Sequence, residues 1–258
     1  MQWDHDASAE WMKVRRAYLT ASDIAGLVPS YERALRNGKG VIPCDVLVPS
    51  FAKLWGEKHG DAEIVTRSDG AAARGHIMEP YAVADYVKAT GIPMHHWDDC
   101  LVCSDDVLAF SPDALDIPQP VDEDGIMPVQ VRGEDIHPMR MVEIKSYGIV
   151  RHYECMLADK QSLALRDQRV QMAVAMRVCP TIETATLLNY NPAAYAMHSM
   201  FAHGYSRDDL KPEMALIDGM ASEWKKTCNI LSGMDTGMSA TVTEFEVWQR
   251  EMQPKFGF

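Results

Sequence analysis

No apolar run in the chain is long enough to cross a bilayer, and the opening residues, Met1-Gln2-Trp3-Asp4-His5-Asp6, lack the basic and apolar regions of an export signal. The expectation is a cytoplasmic protein without membrane contact. Cysteine is sparse and scattered: there are six, and only Cys100 and Cys103 stand close together. A zinc site needs a second pair to complete it, so this lone Cys-x-x-Cys reads as incidental and the thiols as reduced. Internal repeats and low-complexity tracts are missing too. An excess of positive charge is the last thing lacking. The net charge is −12 at pH 7, and a uniformly acidic surface repels phosphates, whereas nonspecific DNA affinity comes mainly from Lys and Arg.

That deficit is uneven along the chain. Residues 11–58 carry eight basic side chains (Lys13, Arg15, Arg16, Arg33, Arg36, Lys39, Lys53, Lys58) against four acidic ones (Asp23, Glu32, Asp45, Glu57). Residues 97–143 carry twelve acidic side chains and two basic ones. Two solvated faces of opposite sign would show this pattern. So would a basic face for incoming DNA beside a carboxylate-rich metal site, and charge alone does not separate the two.

With 258 residues, 47% of them hydrophobic, the chain can bury a sizeable core as one large domain or two small ones. Residues 8–17 read as a short helix, and Ser22 as the N-cap of the next, since Ile24, Leu27 and Val28 follow at helical spacing. Residues 37–49, with Gly38, Gly40, Pro43 and Pro49, read as loop. A helix is expected over 71–90 with Gly91 as its stop. Short strands are expected at 101–102 and 107–110, and a stronger one at 141–147. A helix over 160–178, a strand over 183–190 ending at Asn191-Pro192, and a long amphipathic helix over 207–231 complete the pattern. This order suits an α/β fold with a central mixed sheet flanked by helices.

The chemistry concentrates on that sheet. In Val142-Glu143-Ile144-Lys145, strand alternation puts Glu143 and Lys145 on one face and Ile144 on the other. Surface strands carry such triplets often, so the triplet needs company. Upstream stands Phe110-Ser111-Pro112-Asp113, where a proline without an N–H suits a strand end and leaves Asp113 to project where the strand frays. Glu79 stands in Gly75-His76-Ile77-Met78-Glu79, on a helix rich in core residues. Gln171 sits between Val170 and Met172 in an otherwise apolar helix, where a buried amide must find partners.

Helix-Glu, Pro-Asp, Glu-x-Lys and helix-Gln, in this order, resemble the PD-(D/E)XK nucleases. More narrowly, the chain resembles the YqaJ/phage lambda exonuclease family. The shared runs are Trp11 to Arg15, Leu19-Thr20-Ala21-Ser22, Gly75 to Glu79, Ser111 to Asp113, Glu143 to Lys145, Val170-Gln171 and Asn189 to Pro192. The resemblance implies a PD-(D/E)XK restriction-endonuclease-like core in a single nuclease domain. A helical DNA-end-binding part would cover about 1–70, the catalytic core about 71–192 and a helical C-terminal part about 193–258. It implies an Mg²⁺-dependent 5′→3′ exonuclease that degrades one strand of linear double-stranded DNA to mononucleotides. The 3′ strand would be left for recombination by annealing. Asp113, Glu143, Glu79 and the Ile144 carbonyl would hold two Mg²⁺ ions, with Mn²⁺ as a substitute. Lys145 would orient or deprotonate the attacking water and steady the scissile phosphate. Gln171 would position Lys145 or the substrate. Arg15, Ser22 and Ser111 match positions that hold a 5′-phosphate, which the planar guanidinium fork suits. A ring-shaped homotrimer, a single-strand annealing protein as partner, and a phage or prophage origin in a bacterial cytoplasm follow from the same likeness.

Two departures stand out. The gap between Asp113 and Glu143 is longer than in the lambda enzyme, and the extra segment, 116–140, reads as an extended hairpin or loop. Where that family wedges a leucine into the duplex end, an ungapped match puts Ala72. The alternatives are another DNA endonuclease of the same fold, a RecB-like nuclease with a four-cysteine iron–sulfur cluster, and a catalytically inert DNA-end-binding scaffold.

Overall fold

The computed structural model describes residues 13–237 apart from 45, 60–69, 98–99, 105–106, 122 and 124. The chain runs β1 (Leu19–Thr20), α1 (Ala21–Asn37), α2 (Pro49–His59), α3 (Gly70–Thr90), β2 (His95–His96), β3 (Leu101–Cys103) and β4 (Leu108–Phe110). It continues β5 (Ala114–Leu115), β6 (Gln130–Arg132), β7 (Arg140–Lys145), α4 (Ile149–Leu157), α5 (Arg166–Val178), β8 (Thr184–Tyr190), β9 (Met200–Ser206) and α6 (Lys211–Gly237).

The expected single sheet is divided into two mixed sheets, ordered β1-β4-β3-β6 and β2-β5-β7-β8-β9. Pro112 gives the physical reason. It has no N–H for the ladder, so β4 ends at Phe110 and the chain resumes at Ala114 as β5 of the other sheet. Helix α5 contacts β4 of the first sheet and β8 of the second, and α1 and α6 pack on it as well. Val170 and Met172 to Met176 are therefore buried all around the helix rather than along one stripe. Trp224 of α6, Phe51 of α2 and Ile24 of α1 close the same core. On the far face of the second sheet, Ala82, Val83 and Tyr86 of α3 pack on Val142, Ile144 and Leu188.

Helix α3 starts one residue before the expected bound and stops at Gly91, whose φ of +70° only glycine takes without strain. Other bounds differ. Ser22 is not the N-cap of α1: Thr20 is, in a capping box with Asp23. Helix α5 starts at Arg166, because Ser162 caps a separate 3₁₀ turn over Leu163–Leu165. Helix α6 starts at Lys211, where Pro212 suits a first turn. Helices α2 and α4 and strand β9 were not expected. Helix α4 is only nine residues long, and β9 contains Gly204, so neither carries a long apolar period. Half of the helix expected over 8–17 lies outside the described residues, and 13–16 are helical.

The segment 116–140 is not a free hairpin. Its β6 pairs parallel with β3, Gly133 N–H donates to the Cys103 carbonyl (2.8 Å), and Ile136 is buried. A Cβ on Gly133 would come within 2.5 Å of the Val178 carbonyl oxygen, so this glycine lets the segment seat on the end of α5. All six cysteines are free thiols. Burial pushes Cys100 up to about 12 and Cys103 up to about 11, which makes both inert rather than reactive. Among the described residues, no helix is long and apolar enough to cross a membrane.

Candidate active site

A cleft of about 400 Å³ opens where the chain passes from one sheet to the other. Every residue singled out above for chemistry lines it: Arg15, Ser22, Glu79, Ser111, Asp113, Glu143, Ile144, Lys145 and Gln171.

The acidic end is built on the parallel β7–β8 pair. Glu143 stands opposite Leu187 and Lys145 opposite Asn189, while Val142 and Ile144 turn to the α3 side. Glu143 is only 7% exposed, and its Oε1 accepts from Lys145 Nζ at 2.5 Å. Asp113 lies in the passage between β4 and β5, and its Oδ2 accepts from the Ile144 N–H at 2.6 Å. Burial pushes the Asp113 carboxyl well above its ordinary range, and the charges of Glu143 and Glu79 push it the same way. Burial also opposes charge on Lys145, but the Glu143 and Asp113 carboxylates outweigh it and raise its pKa. Lys145 is thus an ammonium, suited to steadying negative charge rather than to accepting a proton.

Glu79 reaches the cleft from α3. His76 Nδ1 lies 3.4 Å from its Oε1 and His96 Nε2 lies 3.6 Å from its Oε2. Burial raises the carboxyl, yet the two imidazoles outweigh that and hold it at about 2. Gln171 is half-buried at the cleft wall. The buried amide of α5 is instead Gln168, whose Nε2 donates to the Tyr147 hydroxyl at 2.6 Å.

At the other end, Arg15 Nη2 donates to Ser22 Oγ at 2.8 Å. Ser111 Oγ donates to the Cys100 carbonyl (3.1 Å), which fixes it at the lip of the first sheet. The basic stretch is largely surface, with Lys13, Arg16, Arg33, Arg36, Lys39 and Lys53 exposed. Lys58 is an exception: it is buried against Asp23 and adds nothing to that surface. The acidic stretch is no single solvated face either, because Asp113 and Glu143 belong to the cleft and Asp116 accepts from the Met139 N–H (3.0 Å).

Thr20, His76 and Tyr147 also line the cleft, and sequence reasoning assigned them no role. Tyr147 continues the alternation of Glu143 and Lys145, and His76 precedes Glu79 by one helical turn, so both were within reach. His96 had no local signal, because β2 brings it to Glu79 only through the sheet. The side chain of Ala72 lies outside the described residues.

The donor set fits a hard cation. Asp113 and Glu143 offer carboxylate oxygens, and their mutual repulsion in a buried place is what a divalent ion would relieve. Among the described residues no three His, Cys, Asp or Glu side chains converge closely enough to hold a metal alone. Mg²⁺ suits such a site, since it is usually bound by one or two carboxylates and keeps several waters.

Two mixed sheets joined at a Pro-Asp passage, with Glu-x-Lys on the neighbouring strand, make an α/β fold that solved structures share. An alkaline exonuclease from Laribacter hongkongensis is similar in fold with a TM-score of 0.52 and 20% identity, covering 88% of this chain and 99% of that one. The same enzyme in complex with dAMP gives a TM-score of 0.53 with the same identity and coverage. A phage-related exonuclease from Haemophilus somnus 129PT matches at a TM-score of 0.46 and 10% identity, over 66% of this chain and 76% of that one. No family model matches the chain, and neither does any curated protein.

Proposed function

We propose that this protein is an Mg²⁺-dependent 5′→3′ exonuclease that degrades one strand of linear double-stranded DNA to mononucleotides. One observation carries the reading: a crowded carboxylate pair with an ammonium beside it shares a single cleft with an arginine–serine pair. Asp113, Glu143 and the Ile144 carbonyl would hold the metal, with Glu79 adding a carboxylate directly or through water. When bound, Mg²⁺ would supply an activated water and neutralise charge on the leaving oxygen. Lys145 steadies the scissile phosphate, and Gln171 positions Lys145 or the strand. Arg15, Ser22 and Ser111 take the 5′-phosphate, which places the first phosphodiester at the carboxylates. The similar Laribacter enzyme holds dAMP, a mononucleotide. The 3′ strand left behind would serve a single-strand annealing protein, and a ring-shaped homotrimer of this chain would keep it on the duplex.

The test uses linear duplexes with 5′-phosphoryl or 5′-hydroxyl ends, in Mg²⁺ or EDTA. Mononucleotides should appear only with Mg²⁺ and faster from phosphorylated ends. Lys145→Ala should lose about 10²–10³-fold in rate, as expected for removing one charge-stabilising group. Cleavage of closed circles at a comparable rate would overturn the end-dependent reading.

A further inference from the structure

Beneath the arginine–serine end of the cleft runs a chain of hydrogen bonds whose direction is determined by chemistry. A guanidinium only donates and a carboxylate only accepts. Arg15 Nη2 donates to Ser22 Oγ (2.8 Å), and Thr20 Oγ1 donates to Asp23 Oδ2 (2.7 Å). Ser22 Oγ and Thr20 Oγ1 are 3.2 Å apart. Because the Thr20 proton is committed to Asp23, Ser22 is the donor in that contact. Asp23 Oδ2 also accepts from the Thr20 N–H (2.9 Å) and from Lys58 Nζ (2.9 Å). Lys58 Nζ reaches further, donating to the Arg15 main-chain carbonyl at 3.2 Å. The loop therefore closes on itself: one buried ammonium holds both the backbone of Arg15 and the acceptor at the far end of the arginine's own hydrogen-bond chain.

Lys58 is an unusual residue for this duty unless the position matters. It is 7% exposed and lies two turns after the buried Phe51 on the same face of α2. A lysine so placed has lost most of its hydration, and burial lowers its pKa while Asp23 opposes that shift. Asp23 already has a structural task in the capping box of α1, which needs no lysine.

We infer that Lys58 is a positioning residue: by tying Asp23 to the Arg15 carbonyl it sets the Arg15–Ser22 pair, and so the preference of the cleft for a 5′-phosphorylated end. This rests on the reading of that pair as a phosphate grip. Lys58 touches no substrate, and its effect reaches the phosphate only through Arg15 and Ser22.

The experiment compares kcat/KM on linear duplexes with 5′-phosphoryl and 5′-hydroxyl ends, at saturating Mg²⁺, for the wild type and Lys58→Met. The variant should lower the phosphoryl-to-hydroxyl ratio about tenfold or more, the scale of one lost charge-assisted hydrogen bond. The change should appear as a raised KM on phosphorylated ends, with the rate on hydroxyl ends unchanged. Should the single variant unfold, the Lys58→Met/Asp23→Asn pair leaves no lone buried charge and is read by the same ratio. A wild type that discriminates beside a variant that keeps the full ratio, or loses both substrates equally, overturns the inference alone. A wild type that does not discriminate overturns the phosphate grip and this inference with it.

Discussion

At one end of the cleft, Asp113, Glu143 and Glu79 place their charges near one another, and Lys145, the Ile144 N–H and two imidazoles counter the repulsion. At the other end, Arg15, Ser22, Thr20, Asp23 and Lys58 form a hydrogen-bonded network that Lys58 closes. The first end gathers like charges, and the second joins opposite ones. A region that holds like charges in a buried place is less stable than its chemistry allows and gains from a cation. A region whose polar groups already satisfy one another contributes to the fold and offers a rigid surface to a ligand. Under the proposed function, the cleft thus separates a reactive end from a holding end.

Asp113→Asn tests that separation most strongly. Nuclease activity should fall about 10²–10³-fold, while thermal unfolding without metal should move to a higher temperature or stay in place. A lower midpoint in the variant would mean that Asp113 supports the fold, and the contrast between the ends would fail. At the other end, Asp23→Ala removes the partner of a buried lysine and one half of the α1 capping box together. Urea denaturation should show a loss of about 3–5 kcal/mol, the usual scale for breaking a buried pair. The Mg²⁺-dependent turnover of hydroxyl ends should persist in the folded fraction. If stability is unchanged, the network is not structural.

The reactive end was legible in the sequence because its residues are close in the chain and obey local periods. Glu143 and Lys145 alternate on one strand, and Asp113 follows a proline that can only end one. The division into two sheets was not legible, since it depends on which partner β5 finds after Pro112. The holding end was half legible. The sequence favours Ser22 as the cap, because serine is the better cap residue, yet the backbone places Thr20 there. Likewise the apolar neighbours of Gln171 predict a buried amide there, whereas Gln168 one turn earlier is the buried one. Lys58 was counted as surface charge, because nothing in a linear sequence reveals an ion pair between residues 23 and 58.

The smallest effect should be a pH dependence of stability, with opposite signs for two carboxyls in the metal-free protein. Asp113 has its pKa raised from an ordinary 3.8 by burial and then by its acidic neighbours. Between 3.8 and the raised value the folded form binds more protons than the unfolded chain. The stabilisation is therefore full below 3.8 and is lost as pH rises through the folded pKa. Glu79, held at about 2 against an ordinary 4.5, behaves oppositely: its contribution is present above 4.5 and is lost as pH falls toward 2. Above about pH 5 the Glu79 contribution is constant, so a comparison of wild type with Asp113→Asn isolates Asp113. In EDTA, the variant should be the more stable of the two at about pH 8, and its advantage should shrink as the pH is lowered toward 5. Adding Mg²⁺ at about pH 8 should raise the wild-type midpoint alone, because the cation supplies the charge that the proton supplied. An advantage that grows on acidification would reverse the sign assigned to Asp113.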